Sequence, residues 1–144
     1  MVNPMRFHTA AVTALRVVAG LAFFSHGAQK LFGWFGGVGP DGGIAPYMSR
    51  FGAAGLIEVV AGLGIALGVG TRVLAFIASG EMAVAYFWIH VGGSSSLWWW
   101  SNRGELAVLY AFIWLFFAAA GAGPVSVAEW WRKRSGAAGS TSQG

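Results

Sequence analysis

The chain has 144 residues, of which 56% are hydrophobic and 10% charged, and its mean hydropathy is +0.63. That composition excludes an ordinary soluble domain and reads as an integral membrane protein. The net charge of +4 does not indicate nucleic acid, because the basic residues form no patch and lie mostly at the ends of apolar runs; the absence of cysteine removes disulfide relays, thiolate nucleophiles and Cys-based metal sites.

The segment before Ala14 carries Pro4, Arg6 and His8. A basic segment ahead of an apolar run can open a secretory signal peptide, but no small-x-small site follows, so the first span is read as retained. That span, about 12–35, contains LRVVAGLAFFSHGAQKLFGWF and carries His26 and Lys30. Ionisable groups inside a span face a protein interior or a cavity and have partners. Arg16 is expected to reach back to the headgroups on its long stem.

Residues 36–50, rich in Gly and Pro and holding the sole Asp, form a loop. The second span, about 51–71, carries Glu58 in a row of small residues formed by Ala54, Gly62, Ala66 and Gly70, a face that admits another helix at close range. Thr71 and Arg72 make a tight turn into the third span, about 73–91, which holds Glu81 and ends near His90. Trp98, Trp99 and Trp100 suit an interfacial aromatic belt, a fourth span covers about 103–123, and EWWRKR then opens a basic segment and a disordered tail over 131–144. Arg6, Arg16, Arg72, Arg132, Lys133 and Arg134 fall on one side and Arg50 and Arg103 on the other, which puts both termini in the cytoplasm. The predicted fold is all-α, a single four-helix transmembrane bundle over residues 1–130.

At 1.5 Å per residue, Lys30 lies ~8 Å and Glu58 ~10 Å below the outer boundary, and His26 and Glu81 lie near the midplane. Two depth-matched pairs are expected: Lys30 with Glu58, and His26 with Glu81. Glu81 and His90 are about 180° apart on an ideal helix, so they line one cavity only if the helix is distorted, and His90 is read as interfacial. Asn102 and Glu105 either cap the fourth helix or join the site.

Two readings of the polar cluster follow. Buried ion pairs can fix register among the helices; alternatively, the cluster is an outward-opening pocket. In the second reading His26, Lys30, Glu58 and Glu81 are the catalytic candidates: Lys30 binds an anionic or carbonyl oxygen and Glu58 or Glu81 accepts a proton. Trp88 and Tyr86, with Phe24, wall a flat ring, and Asn102 and Glu105 complete the cofactor-binding candidates. A quinone head group or a small anion suits such a site, and neither metal nor haem is expected.

The segments LRVVAGLAFFSHGAQKLFG, IEVVAGLGIALGVGTRVLA, EMAVAYFWIH, NRGELAVLYAFIWL and GAGPVSV resemble the DoxX family of small four-helix membrane proteins. The specific pieces are His26, Gly27 and Lys30, then Glu58, Gly70, Thr71 and Arg72, then Glu81. The resemblance implies a multi-pass protein of the bacterial inner membrane that works in a redox system, since members are linked to thiosulfate:quinone oxidoreductase and to membrane oxidoreductase complexes. One departure stands at Ser126, Val127 and Ala128, where the family often reads SLD. The expected function is a quinone-linked or accessory subunit of a membrane oxidoreductase. The alternatives are a non-catalytic assembly subunit and a small-solute or ion transporter. Expected partners are the lipid bilayer, other membrane or redox subunits and a second copy of the chain, not nucleic acid.

Overall fold

The computed structural model describes residues 3–140, and side chains through 136. Within them the chain forms helices α1 Pro4–Phe32, α2 Arg50–Leu67, α3 Thr71–Ser94, α4 Glu105–Ala120 and α5 Val127–Ser140. The helices α1, α2 and α3 are each long and apolar enough to cross a membrane, and α4 is a shorter apolar helix of 16 residues. With four antiparallel helices in succession, the start of α1 and the end of α4 lie at one face of the bundle, termed the inner end, and the loops 33–49 and 95–104 lie at the other, termed the outer end.

The first helix begins at Pro4, well before the predicted span. Asn3 caps it by accepting from the Met5 amide at 3.0 Å, and Pro4 occupies a first-turn position where its missing N–H costs nothing. It stops at Gly33, whose φ of 69° is left-handed. α1 and α2 then pack backbone to backbone. A Cβ on Gly27 would lie 2.7 Å from the Gly55 carbonyl oxygen, and one on Gly62 only 2.5 Å from the Phe24 nitrogen. Glycine at these crossings is what allows the approach. The predicted small-residue row therefore divides: Gly62 and Ala66 meet α1 at Gly20, while Ala54 faces a cavity.

α3 packs on α4, with the Ser79 hydroxyl donating to the Ala111 carbonyl at 2.8 Å. The two helix pairs are joined by Phe23 of α1, which lies 5.2 Å from Tyr110 and 5.1 Å from Trp114 between ring centres. Phe23, Ile65, Trp114 and Phe117 are the largest fully buried side chains and fill the inner half of the bundle.

Two arginines close the inner end. Arg16 is 2% exposed; its Nη1 donates to the Ile65 and Ala66 carbonyls at 2.7 and 2.8 Å and its Nη2 to Val125 at 2.7 Å. The expected reach to the headgroups is thus corrected: the stem turns sideways because the last carbonyls of α2 lack helical partners and lie level with it. Arg72 does the same for α4, donating to Ala119 at 2.5 Å and to Ala118 and Ala120.

The segment from Val127 is helical through Ser140, where the sequence predicted a basic stretch followed by a disordered tail from 135. Ser126 caps its first turn by accepting from the Glu129 amide at 3.2 Å, and Glu129 pairs with Arg132 at 2.7 Å and Lys133 at 3.8 Å along the helix. The remainder of the predicted tail, 141–144, lies outside the described residues.

Candidate functional site

The close crossing of α1 and α2 brings Lys30, in the last turn of α1, onto Glu58, in the third turn of α2. Lys30 Nζ lies 2.5 and 2.6 Å from the two carboxylate oxygens, and Glu58 is 2% exposed. A Cβ on Gly55 would lie 3.0 Å from the Lys30 Cβ, so a larger residue at 55 would press on the base of the Lys30 side chain. The predicted Lys30–Glu58 contact is formed.

Beside it lies a cavity of about 560 Å³ lined by all four membrane-embedded helices. Its polar lining includes His26, Lys30, Glu58, Glu81 and His90, with Arg50 and Arg103 toward the outer end; Phe23, Ile57, Ile77, Trp88 and Tyr110 supply much of the apolar wall. Arg103 has a left-handed φ of 59° between the helical turn Trp99–Asn102 and α4, an unusual conformation for a side-chain-bearing residue. The Arg50 guanidinium carbon lies 4.9 Å from the Trp88 ring centre, joining α2 to α3 across the top of the cavity.

His26 and Glu81 both face this cavity, but no hydrogen bond or ion pair joins them among the described residues. This corrects the second expected pair. His26 turns its ring edge-on to Tyr110 of α4, 6.2 Å away, instead of across to α3. Glu81 lies within electrostatic reach of Glu58 and Lys30, and its buried Oε2 has no hydrogen-bond partner among the described residues. An unpaired oxygen in such a place is costly and so marks the residue.

Ideal-helix spacing puts His90 on the face opposite Glu81, and the structure corrects that too. Residues Tyr86–Val91 are π-helical, and the wider turn rotates the outer part of α3 so that His90 joins Glu81 on the cavity wall. Its Nδ1 lies 3.2 Å from the Asn102 carbonyl oxygen. Periodicity taken for an ideal helix misses this residue; the bulky run YFWIHV before Gly92 gives no turn signal that would reveal it.

Of the expected ring-binding residues, Trp88 lines the cavity and Tyr86, Asn102 and Glu105 do not. Tyr86 is buried in the core and donates its hydroxyl to the Leu97 carbonyl. Asn102 is buried and holds its own loop, donating to the Ser96 carbonyl at 3.0 Å and accepting from the Gly104 amide at 2.8 Å. Glu105 is exposed at the first turn of α4, where a carboxylate complements the helix dipole. Phe24 packs against Trp34, and Phe23 takes the wall position expected for it.

A family model described as DoxX matches residues 11–91, which includes His26, Lys30, Glu58, Glu81 and His90. An uncharacterized protein of Haemophilus influenzae is 38% identical over 125 residues, spanning 85% of this chain and 92% of that protein. No solved structure matches the chain. The match over more than half of the chain, together with a relative 38% identical across most of both chains, establishes that this protein belongs to the DoxX family.

Proposed function

We propose that the protein is a quinone-linked subunit of an oxidoreductase system of the bacterial inner membrane. One observation carries this reading: an apolar-walled cavity ends in Lys30, His26, Glu58 and Glu81, and Glu81 keeps an oxygen without a hydrogen-bond partner among the described residues. Small-ligand sites have this form, a mostly apolar concavity of ~300–1,000 Å³ with few polar groups. The donor set fits a flat ring that presents carbonyl oxygens. Lys30 directs two hydrogen bonds to Glu58, and an ammonium has three protons, so one is left for a ligand oxygen. His26, one turn below on α1, is a second donor, and Trp88 and Phe23 face the ring.

When bound, a quinone supplies reversible two-electron, two-proton chemistry. The chain's own residues hold the ring, exclude water and handle protons. Glu58 fixes Lys30 in place. Glu81, with its free oxygen, is positioned to take or give the proton that accompanies electron transfer. With no cysteine to relay electrons, the reading assigns their delivery to a partner subunit.

A purely structural assembly role accounts for the Lys30–Glu58 pair and the glycine-lined crossing, but it leaves the cavity and Glu81 without a task. A transport role is less well supported, because the helix distortion of α3 lies at its outer end and not near mid-membrane.

Protein purified in native lipid tests the proposal. Solvent extraction should release quinone, and a benzoquinone analogue should bind saturably. Lys30→Met is expected to weaken that binding about tenfold. Glu81→Gln should retain binding and slow quinone turnover with partner subunits by ~100-fold or more, with an altered pH profile. Absence of both bound quinone and saturable analogue binding in the wild type would overturn it.

A further inference from the structure

The walls of the cavity differ sharply between its outer end and its flank. Toward the outer end it is roofed by cationic or polar groups: Arg50 over Trp88, Arg103, and His90 held at the Asn102 carbonyl. On the flank, between α2 and α3, the wall is apolar, formed by Ala54 and Ile57 of α2 and Ile77 and Val84 of α3. Gly80 leaves a notch there, since a Cβ at that position meets no atom within 4 Å. Nearer the turn, Leu74 fills the space beside Gly64, so the seam between α2 and α3 is filled at the inner end, whereas farther out the residues of both helices line the cavity.

The flank also continues outward. Val84 and Trp88 line the cavity and, with Ala83 and Phe87, a second groove of about 380 Å³ on α3. Val84 is 53% and Trp88 60% exposed on a helix long and apolar enough to cross the bilayer, so this groove meets acyl chains and not water.

We infer that the cavity takes its ligand from the bilayer through a lateral portal between α2 and α3, with Gly80 and Val84 at its sill and the Arg50–Trp88 stack at its top, and that the ligand is an amphiphile whose hydrocarbon tail lies along Val84 and Phe87. The identity of the head group rests on the quinone reading; the route does not. The donors around Lys30 complement carbonyl oxygens and the groove complements a tail, whereas a water-soluble anion matches the first alone.

The cysteine-free chain makes the route directly measurable. Ala54, on the cavity wall, is changed to cysteine in the full chain in phospholipid nanodiscs, and labelling by a dodecyl maleimide in the bilayer is compared with labelling by a sulfonated maleimide in water. Each rate is normalised to that reagent's rate on SDS-unfolded protein. The dodecyl reagent is expected to react at least tenfold faster, and Gly80→Phe, whose Cβ meets no atom within 4 Å, should slow it by about tenfold. Val84→Phe should act in the same direction, and retention of the wild-type Tm certifies the fold of either variant. Equal or faster labelling by the sulfonated reagent, or indifference to both plugs, overturns the portal. A decyl-tailed benzoquinone should protect Ala54→Cys better than the same ring without a tail. Equal protection by both removes the tail from the inference, while portal-dependent labelling with no protection by either leaves the portal standing and removes the quinone.

Discussion

Arg16, buried, and Lys30, partly buried, are two cations on one face of α1, about four turns apart, and they are satisfied in opposite ways. Arg16 spreads its guanidinium over the carbonyls of Ile65, Ala66 and Val125 and packs into the closed inner end. Lys30 meets a carboxylate at the edge of a cavity. Helix ends supply orphan carbonyls in any bundle, so the first arrangement needs no ligand to explain it. The second places Lys30 and Glu58 beside another carboxylate, Glu81, with an unpaired buried oxygen. A charge inside a membrane protein is therefore not by itself a sign of function; unused hydrogen-bonding capacity at a cavity is the better sign.

The contrast can be broken most forcefully at Lys30. Lys30→Met leaves Glu58 buried without its counterion and is expected to cost roughly 3–5 kcal/mol in SDS titrations followed by circular dichroism. Adding Glu58→Met should restore most of that stability while abolishing quinone binding, which separates the structural from the chemical part of the pair. A double variant as unstable as the single would show that the stranded carboxylate is not the source of the loss.

At the inner end, Arg16→Lys keeps the charge but loses the planar fork that reaches three carbonyls. The expected loss is about 2 kcal/mol in the same titration, with ligand affinity unchanged. Affinity falling in step with stability would mean that the two ends are not separable. A smaller effect, about 1 kcal/mol, is expected for Tyr86→Phe, which removes the hydroxyl bond to Leu97. Faster amide exchange over 95–104 with intact ligand binding is the signature of a residue that holds the loop and stands outside the cavity.

The smallest effect belongs to α5. The hydrogen bond from Arg132, aided by its charge and that of Lys133, holds the Glu129 carboxyl below its ordinary value. A lowered value means that the pair supports the helix fully above the ordinary carboxylate range and is lost as pH falls through the lowered one. Far-UV circular dichroism of the full chain should show a slight loss of helical signal on acidification, reduced in Glu129→Gln. An equal loss in that variant would place the titration elsewhere.

Much of the bundle was legible because apolar run length and the placement of Gly, Pro and Arg carry it. The Lys30–Glu58 pair was legible because depth along two antiparallel spans is simple counting. The His26–Glu81 pair was not, since depth says nothing of which neighbour a ring turns toward, and Tyr110 competes for His26. His90 was hidden by the π-helical stretch, which breaks the 100° step on which facing arguments depend. Tyr86 and Asn102 were misassigned for a related reason: polar groups near the outer end serve either a cavity or the loop that covers it, and only packing separates the two. The fate of Arg16 depended on the level at which α2 ends beside it, a tertiary fact.

The glycine crossing of α1 and α2 has a mechanical consequence. Where two helices meet through side chains, repacking lets them slide or tilt; where backbone rests on backbone at Gly20, Gly27 and Gly62, there is little to repack. The two helices then behave as one stiff plate that carries Lys30 and Glu58 at a fixed spacing. Compliance is left to the opposite leaf, α3 with its widened outer turn, so that any breathing of the cavity moves Glu81 and Trp88 relative to a stationary ion pair.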